Sequence, residues 1–356
     1  MKTFHGLSIV SKENEARDAL RIALHVPDEL KQEFEFQPGQ HLPVQFEKDG
    51  KKMRRTYSIC NAQGTWPLEI GIRIQPNGQF SGYAANELSV GDALQAMPPA
   101  GRFCVDPDTD NSRFCVFVAA GSGITPILSI ITSLLHREPH SRCALFYGNR
   151  KKSTTMFIEE LYALKNLYPD RLQLHFVFSQ EEQELALAAG RIDGARIKTL
   201  CEQLLHGVTV DEAYICGPDT MIESVSDAFA ELGLAAENVH SERFGVPRKP
   251  LSRRADVAPG DTDSCAVTVI LDGHKYAFDM PRDGARIVDA AAEHGVELPY
   301  SCKGGVCATC RTHVREGRVT MDTNYGLEPW EVEQGFVLAC QSHPDSDTIL
   351  LDYDKA

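Results

Sequence analysis

CKGGVCATC, residues 302–310, places three cysteines at spacings of five and three among glycine and alanine. A fourth cysteine, Cys340, follows 30 residues after Cys310 in the apolar run FVLACQ. The spacing C-x4-C-x2-C with a distant fourth cysteine is that of plant-type [2Fe–2S] clusters. Four thiolates must converge on two irons, so we expect three from one tight loop and the fourth from a nearby strand. The predicted cluster ligands are Cys302, Cys307, Cys310 and Cys340.

The neighbours of these cysteines suit a cluster. Gly304 and Gly305 are expected to let backbone amides turn toward the sulfurs, and Ala308 and Thr309 are small enough to leave room. A structural zinc site and a set of buried free thiols are the alternatives. Structural zinc sites usually combine two C-x2–4-C units, whereas the fourth cysteine here stands alone. Residues 265–356 resemble plant-type ferredoxins, which implies a β-grasp fold.

The charge of the chain limits its partners. It has 36 Lys+Arg against 50 Asp+Glu, a formal net charge of −14, which argues against nucleic acid or an anionic membrane as partner. Residues 265–356 hold 15 acidic and 8 basic side chains, about half of the net charge. That concentration has two open interpretations, solubility and a docking face for a basic partner.

Cysteine usage and the N-terminus predict a compartment. The chain has eleven cysteines, and its first residues show no long apolar region or cleavage site, so we expect a reducing compartment, the cytoplasm. The uncharged run 114–136 is long enough to cross a bilayer, but GSGITP divides it, which predicts a buried strand and helix instead. Six other cysteines are expected to be small buried hydrophobes: Cys60, Cys104, Cys115, Cys143, Cys201 and Cys265.

Hydrophobic periodicity divides the chain into three domains and a linker. Residues 1–108 show alternating apolar runs, such as 19–26 and 68–75, punctuated by Gly and Pro, which predicts an antiparallel β-barrel. Residues 109–244 alternate strand and helix patterns, which predicts an α/β doubly wound parallel sheet. Residues 245–264 contain three prolines, four basic residues and little apolar content, so we interpret them as a linker. The cysteine loop belongs to the last domain, 265–356.

The segment RRTYSIC, residues 54–60, fits a flavin nucleotide. Arg55 can pair with a diphosphate, Tyr57 can stack on the isoalloxazine ring, and Ser58 can form a hydrogen bond near the flavin N5. An exposed Arg and Tyr on an ordinary strand are the alternative. NGQFSGYAANEL, residues 77–88, adds a glycine turn that leads into a helix, whose N-terminus can bind phosphate. The predicted FAD-binding residues are Arg55, Thr56, Tyr57, Ser58, Arg73, Gly78, Phe80 and Ser81.

These two flavin motifs, in this order, resemble the FAD domain of the ferredoxin–NADP⁺ reductase superfamily. AAGSGITP, residues 119–126, then matches the G-x-G-x-x-P element of that superfamily. We expect Thr125 to cap the following helix and Pro126 to be its first residue. A dinucleotide diphosphate can approach the backbone there. The predicted nucleotide-binding residues in this turn are Gly121, Ser122, Gly123 and Thr125.

The coenzyme prediction depends on YGNR, residues 147–150. Arg150, followed by two lysines, is positioned to meet a ribose 2′-phosphate, so NADPH is expected and NADH is less favoured. A basic loop without this role is the alternative. Plant-type members of the superfamily hold that phosphate with a Ser-Arg pair after the third strand. This chain has Ser179 and Gln180 there, so the cation must come from elsewhere.

The same resemblance implies the residues of the hydride step. Cys216 of the CGP turn, with Gly217 and Pro218, would lie beside the nicotinamide. Glu242 and Phe244 match the acid and the aromatic that the superfamily places over the flavin, although Glu242 could also be a surface acid. The predicted catalytic residues, which would orient and polarise the step, are Ser58, Cys216 and Glu242.

The order of the domains implies an electron-transfer reductase that uses NADPH, FAD and a [2Fe–2S] cluster. The whole chain resembles the reductase components of bacterial phenylacetyl-CoA epoxidases, through FQPGQHL, RRTYSIC, AAGSGITP, YSCKGGVCATC and NYGLEP among other segments. The resemblance implies a separate di-iron oxygenase component as partner and a role in phenylacetate degradation. Two alternatives stay open. One is a reductase of the same architecture for a Rieske or steroid oxygenase, and the other is a non-catalytic iron–sulfur redox sensor.

Overall fold

A computed structural model describes residues 3–48, 50–244, 264–282 and 284–355 of the chain. It has two compact units, one that ends at Phe244 and one that contains the described residues from Ser264 onwards. The predicted linker, residues 245–264, lies outside the described residues except for Ser264.

Six strands form an antiparallel sheet in the first unit: β1 (His5–Ala16), β2 (Ala19–His25), β3 (His41–Lys48), β4 (Lys51–Ser58), β5 (Leu68–Arg73) and β6 (Ala93–Ala96). Their order is β4-β3-β6-β1-β2-β5, and a bridge between Ile59 and Ile70 joins the two ends. One helix, α1 (Gln79–Asn86), lies between β5 and β6 in the chain. The predicted antiparallel barrel is therefore confirmed.

Alternating apolar side chains fill the barrel. Leu20, Ile22 and Leu24 on β2 are buried, and Ile22 lies opposite Ile70 of β5. Burying each such side chain contributes about 1.5–3 kcal/mol, which fixes the register because a shift by one residue would turn all of them to solvent. The two periodic runs that the sequence indicated are thus neighbouring strands of one core.

Five parallel strands and four helices form the rest of the first unit: β7 (Phe114–Ala120), α2 (Ile124–Arg137), β8 (Arg142–Asn149), α3 (Ile158–Leu167), β9 (Leu172–Phe178), α4 (Gly194–Leu204), β10 (Glu212–Gly217), α5 (Asp219–Glu231) and β11 (Val239–Arg243). The strand order is β11-β10-β7-β8-β9. The order reverses beside β7, and in doubly wound sheets ligands bind at the carboxyl ends of strands near such a reversal.

The apolar run 114–136 forms β7 and most of α2, as predicted, and nearly all of its side chains are buried. No described helix combines the length and the apolar character that crossing a membrane requires.

The cap predicted for α2 is wrong. The helix begins at Ile124 after a short 3-10 turn, and its N-cap is Gly123. Thr125 and Pro126 are therefore the second and third helical residues, and the Thr125 hydroxyl donates to the backbone oxygen of Ser122 at 3.0 Å. The turn over GSG starts the helix earlier than the capping preference of Thr indicated.

The second unit contains a five-stranded mixed sheet, a short two-stranded sheet and two helices: β12 (Ser264–Leu271), β13 (His274–Pro281), α6 (Ile287–Glu293), β14 (Arg311–Glu316), β15 (Val319–Met321), α7 (Pro329–Glu333), β16 (Phe336–Leu338), β17 (Ser342–Pro344) and β18 (Thr348–Asp352). The order of the large sheet is β13-β12-β18-β14-β16, with β12 and β18 parallel and the other pairs antiparallel. This is the predicted β-grasp arrangement.

Four of the six scattered cysteines are buried as predicted, namely Cys60, Cys115, Cys143 and Cys265. Cys104 and Cys201 are partly exposed. Cys201 lies on α4 directly after Leu200, the last buried residue of that helix. The surrounding mixture of apolar and polar residues was therefore not enough to predict whether its side chain is buried.

Candidate functional site

Glu242, on the last strand of the parallel sheet, contacts two side chains from the barrel. The Ser58 hydroxyl donates to Glu242 Oε2 at 3.4 Å, and His41 Nδ1 lies 3.5 Å from Glu242 Oε1. The side chain of Glu242 is only 10% exposed, so it is not the surface acid that the alternative interpretation required. Ser58 and Glu242 are 184 positions apart in the chain, and only the packing of the two sheets brings them together.

Cys216 joins the same group through strand register. It lies opposite Glu242 on β11 and opposite Ala119 on β7, at the carboxyl end of all three parallel strands. Burial, and then the charge of Glu242, raise the pKa of the Cys216 thiol well above its usual value. The thiol therefore stays protonated. Cys216 can then contact the nicotinamide ring expected beside it, but it cannot act as a nucleophile.

His41 was not among the predicted site residues. It is buried, and its Nε2 has no hydrogen-bond partner among the described residues. An unpaired buried nitrogen costs about 1–3 kcal/mol, and a bound polar group would supply the missing partner. Nothing in the sequence separates His41 from the other histidines of the chain, because its contact with Glu242 depends on the packing of two distant segments.

Close backbone contact holds the GSG turn against the CGP turn. A Cβ added to Gly123 would lie 2.1 Å from the backbone oxygen of Cys216, so only glycine fits there. A Cβ at Gly217 would lie 2.5 Å from the end of the flexible Met221 side chain, which can move aside. Gly121 has φ +56° and open space around its Cβ position. Gly121 thus leaves room for a ligand, whereas Gly123 is required by the contact between the two turns.

Strand β4 and helix α1 present the predicted flavin residues together. Arg55 is exposed, and its guanidinium donates to Gln79 Oε1, at the start of α1, at 3.1 Å. The Tyr57 ring packs on Phe80 of α1 with centroids 5.1 Å apart, and burial raises the Tyr57 pKa. The predicted cation, aromatic plane and helix N-terminus therefore share one surface, as a diphosphate-linked flavin would require.

The turn before α1 is tightly closed. Gly78 is the N-cap, and a Cβ there would lie 2.2 Å from Ser81 Oγ. The Ser81 hydroxyl accepts a hydrogen bond from the backbone N–H of Gln75 at 3.1 Å, which leaves its own proton available for an acceptor. Arg73, also predicted to bind the flavin nucleotide, forms an ion pair with Asp18. Thr56 lies on β4 between Arg55 and Tyr57.

At the end of β8, Arg150 lies beside the pair Ser179–Gln180. The Gln180 N–H donates to the backbone oxygen of Arg150 at 2.9 Å, and the Ser179 N–H donates to that of Asn149 at 2.9 Å. The exposed Arg150 guanidinium is therefore carried by the loop next to the position where plant-type enzymes use arginine. Phe244, the predicted aromatic over the flavin, is 44% exposed at the end of the first unit.

The four predicted cluster cysteines form two pairs. The Cys302 N–H donates to Cys307 Sγ at 3.5 Å, and the N–H of Ala339, next to Cys340, donates to the backbone oxygen of Cys310 at 3.1 Å. Within the part of the chain that the structure describes, no three His, Cys, Asp or Glu side chains converge as they would around one metal ion. Two such pairs would supply two thiolates to each of two irons, as a [2Fe–2S] cluster requires.

Amide donors surround these sulfurs. The N–H groups of Gly304 and Cys307 point at Cys302 Sγ at 3.3 and 3.5 Å, and the Thr309 hydroxyl donates to Cys307 Sγ at 3.2 Å. The hydrogen bond from the Cys307 thiol, with those from backbone amides, lowers the pKa of Cys302. Iron binds thiolates, and donors of this kind favour them, so the residues present fit a [2Fe–2S] cluster.

Cys340 reaches the loop from a turn, whereas a strand was expected. It lies in a 3-10 turn directly after β16, and the Ala339 N–H donates to the backbone oxygen of Cys310 at 3.1 Å. Gln341, which was not among the predicted residues, contacts Cys340 Sγ from Nε2 at 3.6 Å and donates to the backbone oxygen of Lys303 at 2.9 Å. The turn thus attaches the fourth cysteine to the loop that carries the other three.

Only one of the two loop glycines is required on steric grounds. Gly305 has φ +77°, and a Cβ there would lie 2.9 Å from the backbone oxygen of Thr323. Gly304 has no close neighbour, and its contribution is the amide that points at Cys302.

Comparison with known proteins agrees with this arrangement. Residues 6–104 match the model of an oxidoreductase FAD-binding domain, residues 117–227 that of an oxidoreductase NAD-binding domain, and residues 269–345 that of a 2Fe-2S iron-sulfur cluster binding domain. One component of the 1,2-phenylacetyl-CoA epoxidase of Escherichia coli (strain K12) is 41% identical over 99% of this chain and 99% of its own length. The chain belongs to the family of flavin- and iron–sulfur-containing reductase components of oxygenases.

Other members of this reductase family are also similar over their whole length. The 3-ketosteroid-9-alpha-monooxygenase, ferredoxin reductase component, of Rhodococcus rhodochrous is 30% identical over 98% of this chain and 96% of its own. Among solved structures, phthalate dioxygenase reductase, described as a modular structure for electron transfer from pyridine nucleotides to [2Fe-2S], shares 25% identity over 98% of both chains, with a TM-score of 0.60. The chain with the sequence printed above is therefore an oxidoreductase with FAD, a pyridine nucleotide and a [2Fe–2S] cluster as cofactors.

Proposed function

We propose that this reductase supplies electrons from NADPH to the oxygenase component of a phenylacetyl-CoA epoxidase in phenylacetate degradation. The observation that carries the proposal is the 41% identity to an epoxidase component over 99% of both chains, against 30% to a steroid monooxygenase reductase. When bound, FAD accepts a hydride and passes electrons singly to the cluster. The proposed FAD and nucleotide residues belong to the first unit, and the cluster cysteines belong to the second.

The proposed catalytic residues are Ser58, Cys216 and Glu242. Ser58 and Glu242 form a hydrogen-bonded pair that can orient a flavin edge and hold a proton there. The buried neutral thiol of Cys216 borders this pair and offers an apolar contact for a nicotinamide ring. His41 contacts the other oxygen of Glu242 and would keep that carboxylate in place.

The proposed contacts to FAD lie on β4 and α1, and those to the nicotinamide nucleotide lie at the carboxyl ends of the parallel strands. For FAD, support comes from the shared surface of Arg55, Tyr57 and the start of α1. For the nucleotide, it comes from the open space at Gly121 and from Arg150. The remaining predicted residues belong to the same turns and strands: Thr56, Arg73, Gly78, Phe80, Ser81, Ser122, Gly123, Thr125, Gly217, Pro218 and Phe244.

NADPH is proposed over NADH because of the loop geometry at the end of β8. Arg150 is hydrogen-bonded through its backbone to Gln180, which occupies the position of the arginine in plant-type enzymes. A guanidinium one loop away can meet the same 2′-phosphate.

We further propose the domain limits 1–108, 109–244 and 265–356, with 245–264 as a linker, because the sheet patterns change near these positions. A cytoplasmic location is supported by the odd number of cysteines, eleven, four of which are the predicted cluster ligands. The partner would be the oxygenase component alone, with neither nucleic acid nor membrane involved, in keeping with the net charge of −14.

A steroid oxygenase is the second candidate partner, because its reductase component is 30% identical over 98% of this chain. The reconstituted reductase would be mixed with NADPH and, separately, with the purified oxygenase components of a phenylacetyl-CoA epoxidase and of a 3-ketosteroid 9α-monooxygenase. Substrate-dependent NADPH consumption and product formation with the epoxidase alone is the expected result. Turnover with the steroid oxygenase and none with the epoxidase would reject the proposed partner.

A further inference from the structure

A tyrosine hydroxyl in the core of the second unit has no hydrogen-bond partner among the described residues. Tyr353 is 8% exposed, and its hydroxyl oxygen is fully buried. A buried hydroxyl without a hydrogen bond costs about 1–3 kcal/mol. Since nearly all buried polar groups in folded proteins are paired, such an exception calls for a partner beyond the ordinary side chains and backbone around it.

Strand pairing places this tyrosine at the cluster end of the sheet. Tyr353 directly follows β18, which runs antiparallel to β14, and β14 begins one residue after Cys310. His313 lies opposite Asp352, so Tyr353, the residue after β18, lies near the start of β14, which Cys310 directly precedes. The Tyr353 N–H donates to the backbone oxygen of Ile270 at 2.9 Å, which fixes the chain at this point.

The ring of Tyr353 shares a core with one particular pair of cysteines. Tyr353, Cys310, Cys340 and Leu338 belong to the same buried cluster of side chains. The ring of Tyr353 therefore packs in the same core as the pair Cys310–Cys340.

We propose that the Tyr353 hydroxyl donates a hydrogen bond to a sulfur of the Cys310–Cys340 pair when the cluster is bound, and so raises the reduction potential of the cluster. Reduction adds one electron to the iron–sulfur unit, and its sulfurs become stronger acceptors. A donor from the protein therefore stabilises the reduced form more than the oxidised form. Tyr353 is thus a positioning residue that adjusts the reduction potential of the cluster. This proposal depends on the proposed function only in requiring that the chain binds a [2Fe–2S] cluster.

The test is the midpoint potential of the cluster in the holoprotein, measured by dithionite titration with redox dyes and followed by the paramagnetic signal of the reduced cluster. Tyr353→Phe removes the hydroxyl and keeps the ring. We expect its midpoint to fall by about 59 mV, which corresponds to a tenfold change in a one-electron equilibrium. An unchanged midpoint in a variant that retains its cluster would overturn the proposal. Because dithionite bypasses NADPH and the flavin, this result is independent of the coenzyme and of the oxygenase.

The matched control is Tyr276→Phe. Tyr276 lies on β13 of the same unit and is 38% exposed, so loss of its hydroxyl should leave the midpoint unchanged. A fall equal to that of Tyr353→Phe would show a general effect of tyrosine loss and would also overturn the proposal.

A second variant keeps the proposal testable if Tyr353→Phe fails to assemble the cluster. Site-specific replacement of Tyr353 by 3-fluorotyrosine retains the ring and the hydroxyl, and the more acidic hydroxyl is a stronger donor. We expect the midpoint to rise. A midpoint equal to that of the unmodified protein would exclude the hydrogen bond.

Discussion

The flavin–nicotinamide site and the cluster loop of this reductase are assembled in opposite ways. In the cluster loop, three of the four cysteines lie within residues 302–310, and the amides that face the sulfurs come from the same loop. In the flavin site, the hydrogen bond between Ser58 and Glu242 joins residues 184 positions apart. Local chain geometry therefore determines the first site, whereas the packing of two sheets determines the second.

This difference has a consequence for mutation. Damage to the cluster loop should remain within the second unit, because its ligands and donors are local. Substitutions in the contact between the GSG and CGP turns should lower both the stability of the first unit and the rate of hydride transfer. The same backbone contact packs the parallel sheet and positions Cys216.

The largest effect is expected for Cys307→Ser, which removes one thiolate of the pair with Cys302. Electron transfer from NADPH to cytochrome c, which requires the cluster, should fall by at least about 100-fold. Reduction of ferricyanide, which the flavin performs directly, should be retained. Steady-state assays with both acceptors measure this. Equal loss of both activities would show that the flavin site and the cluster loop do not function separately.

Gly123→Ala tests the contact between turns in the first unit. The added methyl group would lie 2.1 Å from the backbone oxygen of Cys216, so we expect a loss of about 1–3 kcal/mol in the free energy of unfolding, with reduced ferricyanide activity. Urea unfolding measures the first and NADPH-dependent assays the second. Gly82→Ala on α1 is the control, since open space surrounds its Cβ position and alanine should stabilise the helix by about 0.5–1 kcal/mol. Similar stability of both variants would contradict the close contact.

Arg150→Ala tests whether the guanidinium in the nucleotide region contacts the 2′-phosphate. Loss of one charge-assisted contact to a 2′-phosphate, worth about 1.5–3 kcal/mol, should raise the KM for NADPH about 10–100-fold and leave that for NADH unchanged. Arg142→Ala, at the other end of β8, is the matched control and should change neither value. Equal increases for both coenzymes would mean that Arg150 does not contact the 2′-phosphate.

The smallest expected effect concerns a carboxylate cluster between the barrel and α3. Arg21 lies 3.3 Å from Glu15 and 3.7 Å from Glu69, and it also pairs with Glu160 of α3. Burial, and then the charge of Glu160, raise the pKa of Glu15 to about 7. The folded protein thus keeps a proton that the unfolded chain releases near its ordinary pKa of 4.5, so stability falls as the pH rises from about 4.5 to 7.

Glu15→Gln should remove that contribution to the pH dependence. We expect the fall in the free energy of unfolding between about pH 5 and pH 7 to be smaller by about 1 kcal/mol in the variant. Urea unfolding across this range measures it. A pH dependence identical to that of the unchanged protein would show that Glu15 is ionised throughout.

The sequence predicted the cluster ligands more directly than the flavin site, for a physical reason. Cysteine spacing states which thiols are near one another, because a loop of nine residues cannot separate them. Even so, it did not show that Cys340 lies in a turn held by the backbone of Cys310, since that contact depends on tertiary packing.

For the flavin site, periodicity predicted the strands and helices but not which side chains meet. Ser58 was predicted from the chemistry of its segment, and Cys216 and Glu242 from the resemblance to a superfamily, and the structure brings the three together. His41 was missed because a buried histidine has no distinctive spacing. Residue preference predicts Thr125 as the cap of α2, whereas the helix begins at Ile124, directly after Gly123, which lies against the backbone of Cys216.

The order of electron transfer is tested most directly by anaerobic stopped-flow mixing of the reconstituted holoprotein with NADPH. Flavin absorbance and the paramagnetic signal of the cluster would be followed in the same reaction, with freeze-quenched samples for the latter. We expect flavin absorbance to fall first and the cluster signal to appear afterwards, with only the flavin step left in Cys307→Ser. A cluster signal that appears before any change at the flavin would contradict transfer from NADPH through FAD to the [2Fe–2S] cluster.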